Sequence, residues 1–301
     1  MVKVEVIIPT YNRPELILKC LESVLCQTYF ELEIIVSDNS TNNFTENLFN
    51  NVNDPRVKFI RRQVHLSGIE HLNLILSEVK ADLFIVFHDD DLMEKNMIER
   101  LASYLSINND VLAVGCNAVI MRENSFRKKL FGNFKIDIKL NNSLELIDSY
   151  FNSKKFVPFP SYLYKQSITN FVKLNDVNGG KYCDLSFLND ILSLGKIAFI
   201  ADPLMKYFIH QGQDTANHKF LEKISLIKYL CKANNLATKH FLIRKIRVEN
   251  IYMELKIQSQ NINLDLSKKR KRLYLQYMLI LKYLGIITFM KVIFFSFKYF
   301  K

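Results

Sequence analysis

Segments with the pattern of strands alternate with segments with the pattern of helices through the first 105 residues of this chain. Strands are indicated by short apolar runs, and helices by apolar residues that recur every three or four positions. The order is strand 3–8, helix 14–27, strand 32–37, strand 56–60, helix 69–79, strand 83–87 and a helix from about 94 to 105. Such alternation predicts a mostly parallel, doubly wound α/β sheet with helices on both faces.

Three polar segments follow predicted strands, each at the carboxyl end, where sheets of this kind bind ligands. They read PTYNR at 9–13, DNSTNN at 38–43 and HDDD at 88–91. Each one alone is also ordinary turn or helix-entry chemistry. Because the carboxyl ends of parallel strands share one edge of a sheet, the sequence predicts that the three segments converge on one cleft.

The three consecutive aspartates Asp89, Asp90 and Asp91 place three negative charges side by side in that cleft. They follow an apolar run at 84–87 that is typical of a strand covered on both faces. Clustered carboxylates repel each other, and either bulk water around a turn or a bound divalent cation can offset the repulsion. The stretch alone leaves both explanations open. If a cation is bound, carboxylate oxygens suit Mg²⁺ or Mn²⁺.

The glycine pattern excludes two common kinds of nucleotide site. A dinucleotide fold needs G-x-G-x-x-G after its first strand, and a P-loop needs G-x-x-x-x-G-K-[ST]. Neither motif occurs, and the 301-residue chain contains only 8 glycines. The diphosphate of a bound nucleotide would therefore need another positive partner, which a cation held by the aspartates could supply.

Cysteine usage indicates the compartment. The 5 cysteines are scattered and form neither a C-x-x-C pair nor a Cys/His cluster, which argues against a disulfide or zinc framework and for a reducing environment. The chain runs from Met1 into a strand pattern, without the basic-then-apolar layout of a signal peptide. A cytoplasmic location is therefore expected.

The net charge of +11 is concentrated in the last third of the chain. Residues 206–301 carry 19 basic against 5 acidic residues, whereas residues 1–205 carry 22 against 25.

Segment 267–301 begins with consecutive basic residues, and Lys282 and Lys291 interrupt the ~20 uncharged residues that a membrane-spanning helix needs. An interfacial helix on an anionic membrane is expected, and a helix packed on the rest of the protein is the alternative. No nucleic-acid motif accompanies the charge, so nucleic acid is not an expected partner.

Three stretches, in order, resemble family 2 glycosyltransferases, which have the GT-A fold. The first is VEVIIPTYNRPELILKCLESVLCQTYFELEIIVSDNST, the second, similar to the D-x-D region, is ADLFIVFHDDDLMEKNMIERL, and the third, similar to the acceptor-side segment, is GGKYCDLSFLNDILSLGKIAFIADPLMKYFIHQGQ. The resemblance covers residues 1–213. It implies an α/β GT-A domain, with a Rossmann-like mixed, mostly parallel sheet flanked by helices. Its nucleotide-sugar half would span about 1–115 and its acceptor half about 116–213, followed by a basic helical C-terminal region at 214–301.

The resemblance also implies which residues bind the nucleotide. The pocket would be lined by Pro9, Tyr11, Asn12 and Arg13, with Asp38 hydrogen-bonded to the base and Asp89 near the ribose.

Metal and catalytic roles follow from the same resemblance. Asp90 would hold a Mn²⁺ or Mg²⁺ ion that bridges the two donor phosphates, with Asp91 and His210 as further metal ligands. Asp184 matches the general base, and its alternative role is to cap the helix that it opens. His210 could equally be a hydrogen-bonded structural residue, and His88 is interpreted as structural.

The sequence departs from the family pattern at the aspartates. His88 stands where many members have the first Asp of D-x-D-D. It therefore stays open whether the motif pairs Asp89 with Asp90 or Asp89 with Asp91.

Two more departures lie on the acceptor side. Cys183 precedes Asp184 where Glu is common, and Phe208 stands where an Arg often precedes the distal His. These two departures leave the expected base Asp184 intact, but they change residues that would be expected to contact the diphosphate.

The implied activity is metal-dependent, inverting transfer of a sugar from a nucleotide-diphosphate donor, expected to be a UDP-sugar. The acceptor would be a hydroxyl of a glycan or lipid-linked glycan in bacterial surface polysaccharide synthesis, such as lipopolysaccharide or capsule, at the inner membrane face. Two alternatives are a non-catalytic relative that binds nucleotide sugars and a basic membrane-associated binding protein. Retention of Asp89, Asp90 and Asp184 together favours the enzyme, and confinement of the charge to the last third disfavours the basic binding protein.

Overall fold

The computed structural model describes residues 2–122, 125–209 and 220–236. The strands in these ranges are β1 (Val4–Thr10), β2 (Leu32–Asp38), β3 (Val57–Arg61), β4 (Leu83–Val86), β5 (Leu92–Met93), β6 (Val111–Arg122), β7 (Ser125–Leu130), β8 (Ile138–Leu140), β9 (Leu163–Lys165) and β10 (Lys196–Ile209). The α-helices are α1 (Pro14–Leu25), α2 (Phe44–Phe49), α3 (Gly68–Glu78), α4 (Met97–Ile107), α5 (Ser143–Asp148), α6 (Cys183–Leu192) and α7 (Phe220–Ala233). Short 3₁₀ or π turns cover Ser149–Ser153, Phe159–Ser161, Gln166–Asn170, Asp176–Asn178 and Gly180–Tyr182.

These strands form one sheet in the order β3–β2–β1–β4–β9–β6–β10–β5, with β7 paired to β6 and β8 paired to β10. The pairs β1–β2, β1–β4, β2–β3 and β6–β10 are parallel. Each antiparallel strand pair within the described ranges contains only two or three pairs of opposed residues. The mostly parallel α/β sheet predicted from the alternation is therefore confirmed.

Helix α1 fixes the loop at the carboxyl end of β1. Pro14 starts the helix at a position where its missing N–H is not needed. The helix buries one face in the same apolar cluster as β1 and β2, through Ile17, Cys20, Leu21 and Val24. Each such burial stabilises the fold by roughly 1.5–3 kcal/mol. The loop that follows β1 is consequently only three residues long, 11–13, and is anchored at both ends.

Helix α4 starts later than the sequence predicts. The apolar spacing indicates a helix from about residue 94, whereas the observed helix begins at Met97. The preceding residues are extended because Met93 pairs with Met205 of β10 and the Glu94 N–H donates to the Leu204 carbonyl at 2.8 Å. This pairing joins positions more than a hundred residues apart, which local spacing does not reveal.

The chain divides into two compact units. The first comprises Met1–Asn175 and Phe187–Gln213, and the second comprises Asp176–Ser186 and Asp214–Lys301. Segment Asp176–Ser186, expected in the acceptor half, thus groups with the second unit, and the domain boundaries given above stay predictions. Within the second unit, Glu222 of α7 accepts a hydrogen bond from the Lys181 N–H at 2.9 Å.

The predicted membrane segment at 267–301 lies outside the described residues. Among the residues that are described, no helix combines the length and the apolar character that crossing a membrane requires.

Candidate active site

The carboxyl ends of β1, β2 and β3 are in register at one edge of the sheet. Thr10, which follows the half-buried Pro9, lies opposite Asp38, and Asp38 lies opposite Arg61. Asp38 is fully buried, and its Oδ2 accepts a hydrogen bond from Arg61 Nη1 at 2.5 Å. Its Oδ1 accepts from the backbone N–H of Ser40 at 3.0 Å and from the Ser40 hydroxyl. An ionised carboxylate offers about four acceptor sites, and these three hydrogen bonds occupy three of them.

Asn12 joins the segment after β1 to the segment after β2. Its backbone N–H donates to Ser40 Oγ at 2.8 Å, and its Oδ1 accepts from the Thr41 N–H at 3.1 Å. The φ of Asn12 is 53°, in the left-handed region that Asn occupies more readily than most residues. The adjacent Tyr11 is exposed, with its ring centroid 5.2 Å from that of His65. Tyr11 therefore presents an aromatic side chain at this edge.

Asp89 joins the segment after β4 to the segment after β1. Its Oδ2 accepts a hydrogen bond from Thr10 Oγ1 at 2.7 Å, and its Oδ1 accepts from Arg13 Nη1 at 3.2 Å. The same Arg13 atom lies 3.6 Å from Asp90 Oδ2. Burial raises the pKa of Asp89, whereas the Thr10 hydrogen bond and the Arg13 charge lower it. The three polar segments thus meet at one edge, as the strand order predicts.

His88, Asp90 and Asp91 form a cluster whose potential ligand atoms all lie within 4.8 Å of one another. Asp91 is fully buried, and its Oδ1 accepts a hydrogen bond from the Phe208 N–H of β10 at 2.9 Å. Its Oδ2 is buried and has no hydrogen-bond partner among the described residues. The predicted ligand His210 lies outside the described residues.

The unpartnered oxygen of Asp91 tests whether this cluster suits a cation. Burial, followed by the negative charge of Asp90, raises the pKa of Asp91 to about 8. A buried carboxylate oxygen without a partner is costly. A hard divalent cation with oxygen ligands would both satisfy that atom and offset the repulsion between the two carboxylates. The donor set therefore fits Mg²⁺ or Mn²⁺.

Helix α1 holds the aspartate segment from the side. The Cys20 thiol donates to the His88 carbonyl at 3.3 Å. Two residues beyond the end of the helix, Gln27 Nε2 donates to the Glu94 carbonyl at 2.8 Å, and Gln27 Oε1 accepts from the Ile98 N–H at 3.0 Å. The backbone on both sides of the three aspartates is therefore tied to α1 and to the residues that directly follow it.

Asp184 belongs to the second compact unit and lies in the first turn of α6, one residue after its start. Its Oδ1 accepts a hydrogen bond from the Leu185 N–H at 2.8 Å. Burial raises the pKa of Asp184 to about 6. A carboxyl group with this pKa is mostly ionised at neutral pH and can accept a proton there.

Three residues at this edge are not predicted as site residues from the sequence: Thr10, Arg61 and His88. Thr10 ends a strand next to the PTYNR motif, and that position was the available signal. Arg61 had none, because the strand register that sets it against Asp38 is not visible in local spacing. His88 precedes the aspartates directly and was interpreted as structural.

A cleft of about 740 Å³ lies elsewhere, at the amino ends of β1 and β4. Its lining includes Val2, Phe30, Leu83 and Glu99 but none of the candidate residues above. Volume alone would favour that cleft. The convergence of polar segments, the ion pairs and the unpartnered carboxylate oxygen all favour the carboxyl edge instead, as expected for a parallel sheet.

Residues 5–167 match the family model for Glycosyl transferase family 2. An uncharacterized glycosyltransferase of Haemophilus influenzae is 24% identical over 248 residues, which is 75% of this chain and 72% of that protein. The GalNAc(5)-diNAcBac-PP-undecaprenol beta-1,3-glucosyltransferase of Campylobacter jejuni is 28% identical over 180 residues, which is 58% of this chain and 56% of that protein.

Solved structures with the same fold include glycosyltransferases. Residues 1–349 of Staphylococcus aureus TarS in complex with UDP-GlcNAc superpose with a TM-score of 0.55 at 14% identity, covering 89% of this chain and 69% of that one. The mannosyltransferase PcManGT of Pyrobaculum calidifontis, in complex with GDP-Man and Mn²⁺, gives 0.57 at 16% identity, covering 93% and 81%. At these identities the likeness concerns the fold, and the expected GT-A architecture is confirmed.

Proposed function

The chain belongs to glycosyltransferase family 2, and from this premise we propose that it transfers a sugar from a UDP-sugar to a hydroxyl of a bacterial surface glycan or of its lipid-linked precursor. As a family member it is an enzyme that acts on nucleotide sugars, which favours catalysis over the two binding-protein alternatives. The donor base, the cation and the membrane contact are the parts that we propose beyond family membership.

One observation carries the assignment of the donor site: three polar segments meet at the carboxyl edge of the sheet. Thr10 and Arg13 orient the carboxylate of Asp89. In the proposed complex Asp89 receives the ribose hydroxyls and Asp38 receives the base. Pro9, Tyr11, Asn12 and Arg13 line the same pocket. UDP is the proposed nucleotide because a structure of the same fold is described with UDP-GlcNAc bound.

Asp90 and Asp91 are proposed to hold a divalent cation, with His210 as a further ligand. The unpartnered Oδ2 of Asp91 supports this role. When bound, the cation would supply charge neutralisation at the diphosphate leaving group. Arg13 lies within reach of Asp90 and limits the repulsion within the acidic segment.

Asp184 is proposed as the general base that accepts the proton of the acceptor hydroxyl. Its pKa of about 6 suits proton acceptance at neutral pH. A positioned base contributes roughly 10²- to 10⁴-fold to the rate. Attack from the face opposite the leaving group inverts the anomeric carbon, in line with the resemblance.

The basic segment 267–301 is proposed to dock the enzyme on the anionic inner face of the bacterial membrane, where a lipid-linked acceptor would be found. Its consecutive basic residues and its apolar stretches support this role. The name of the Campylobacter relative, which includes an undecaprenol-linked glycan, agrees with an acceptor of that kind.

A thermal-shift screen tests the donor assignment. UDP-glucose, UDP-N-acetylglucosamine and GDP-mannose would each be added to the full-length protein with Mn²⁺, with Mg²⁺ or with EDTA. We expect the melting temperature to rise with UDP-sugars and only in the presence of a cation. A larger shift with GDP-mannose would refute the base assignment, and equal shifts in EDTA would refute the cation.

A further inference from the structure

His88 occupies a position where its side chain and its backbone have separate roles. Its carbonyl accepts a hydrogen bond from the Cys20 thiol of α1 at 3.3 Å, which fixes the backbone at this point. Neither ring nitrogen hydrogen-bonds a residue in the described ranges. One of them instead lies within 4.8 Å of carboxylate oxygens of both Asp90 and Asp91. The ring therefore lies beside the acidic cluster without a hydrogen-bond partner among the described residues.

The neighbouring acid supplies a second, independent observation. Asp91 is fully buried, its Oδ1 is occupied by the Phe208 N–H, and its Oδ2 has no partner among the described residues. A buried carboxylate oxygen lies next to an imidazole nitrogen, and neither atom is hydrogen-bonded within the part of the chain that the structure describes. A shared cation would complete this arrangement.

The separation of the donor atoms is compatible with one ion. Ligands about 2.0–2.3 Å from a small divalent cation lie at most about 4.0–4.6 Å from each other. The upper limit of 4.8 Å on the donor separations is therefore only a few tenths of an ångström above what two opposite ligands of one ion can span. Arg13 pairs with Asp89 and stands 3.6 Å from Asp90 Oδ2, so Asp89 is the aspartate least available to the ion.

We propose that His88 contributes an imidazole nitrogen to the cation site, so that His88, Asp90 and Asp91 form a mixed nitrogen and oxygen ligand set. The proposal rests on the cation site of the proposed function and deepens it. Imidazole suits first-row transition metals, whereas an all-oxygen set suits Mg²⁺ equally well. The histidine thereby shifts the preference of this site from Mg²⁺ toward Mn²⁺.

The test is electron spin-echo spectroscopy of full-length protein loaded with Mn²⁺ alone. A directly bound imidazole nitrogen modulates the echo at ¹⁴N frequencies, and oxygen ligands do not. We expect this modulation in the parent protein and its loss in His88→Asp, which keeps a ligand but changes its atom from nitrogen to oxygen. His65→Asn is the matched control, because His65 is exposed and lies outside the cluster, and its modulation should equal that of the parent.

Competition between Mn²⁺ and Mg²⁺ gives a second readout. Loss of even an outer-shell partner weakens metal binding roughly 10- to 100-fold. We therefore expect His88→Asn to weaken Mn²⁺ binding by at least about tenfold. We expect His88→Asp to lower the ratio of the Mn²⁺ affinity to the Mg²⁺ affinity by a similar factor, relative to the parent. Melting temperatures of both variants without metal show whether the fold is retained.

The possible results separate this inference from the proposed function. Bound Mn²⁺ without ¹⁴N modulation would overturn the role of His88 and leave the aspartate site standing. Modulation that survives in His88→Asp but disappears in His210→Asn would assign the nitrogen to His210 and also overturn the inference. Absence of Mn²⁺ binding to the parent would overturn both the inference and the cation site.

Discussion

The two oxygens of the Asp91 carboxylate have unequal surroundings, and this difference decides what the acidic segment can do. One oxygen accepts a backbone hydrogen bond from β10, whereas the other is buried without a partner among the described residues. Bulk water cannot offset a charge at a fully buried position, so the turn explanation for the three aspartates is the weaker one.

Replacing Asp90 by Ala tests the cation at the residue scale. We expect calorimetry to show that Mn²⁺-dependent binding of UDP is lost, because one ligand and half of the local negative charge are removed. The fold should persist, since Asp91 keeps its bond to Phe208. Asp82→Ala is a matched control: Asp82 is exposed and lies at the other end of β4. Equal UDP affinity of the parent with and without Mn²⁺ or Mg²⁺ would contradict the prediction.

Replacing Asp184 by Asn tests the general base. Turnover should fall by roughly 10²- to 10⁴-fold, while donor and Mn²⁺ affinity remain close to those of the parent. The parent rate should rise with pH through about 6, the pKa of Asp184, because only the ionised carboxylate accepts a proton. Near-parental turnover of the variant at saturating acceptor would show that another group is the base.

The same substitution predicts a change of stability with pH. The folded-state pKa of about 6 lies above the ordinary Asp value of 3.8, so the folded protein binds this proton more tightly than the unfolded chain does. The resulting stability is present below about pH 4 and is lost as pH rises through about 6. Chemical denaturation should therefore show the stability of Asp184→Asn relative to the parent rising between about pH 4 and pH 6 and staying constant above pH 6. A helix-capping role alone predicts little change in stability at any of these pH values, because Asn caps a helix about as well as Asp.

The acidic and polar residues of the site are predictable from the sequence, whereas the contacts that hold them are not. Asp38, Asp89 and Asp90 are recognisable because they follow apolar runs. Arg61 and the unpartnered oxygen of Asp91 depend on strand register and on burial by β10. Neither strand register nor burial by a distant strand can be predicted from the neighbouring residues in the sequence.

At the scale of elements, the paired ends of β2 and β3 depend on one buried ion pair. Asp38 is fully buried and its partner Arg61 is mostly buried. Arg61→Met should lower the free energy of unfolding by about 3–5 kcal/mol, because it leaves a buried charge without its cation. UDP affinity should fall as well, since Asp38 would lose its orientation.

Arg56→Met is the matched control for that change. Arg56 pairs with Asp54 at 2.9 Å, and both side chains remain partly exposed. Its removal should cost no more than about 0–1 kcal/mol, as is usual for surface pairs. Urea denaturation measures both variants. Equal losses for Arg61→Met and Arg56→Met would mean that the burial of Asp38 has little energetic consequence.

Elements differ in how well local spacing predicts them. Helices α1 and α3 and the parallel strands of the first hundred residues follow from apolar periodicity, because each buries a continuous face, whereas the short helix α2 was not predicted. Strand β5 and the late start of α4 do not, because they result from pairing with β10. Long-range pairing of this kind overrides the helical propensity of the residues involved.

For the whole molecule, the concentration of positive charge in the last third of the chain predicts that nucleotide binding and membrane binding belong to different parts of the protein. Removing residues 267–301 should leave a protein that binds UDP with Mn²⁺ but no longer sediments with anionic liposomes. Sedimentation of the full-length protein should weaken as salt is raised, because the attraction is screened within about 10 Å at 0.1 M salt. Liposomes of neutral lipid serve as the control. Salt-insensitive aggregation of the shortened protein would favour the alternative of a helix packed on the rest of the protein.

The bond from β10 to Asp91 comes from the main chain and not from a side chain. Every residue type except proline carries the N–H that position 208 donates. A substitution at position 208 by any residue other than proline therefore keeps the donor that anchors Asp91. The anchoring of Asp91 consequently depends on the path of the β10 main chain and not on which side chain stands at position 208.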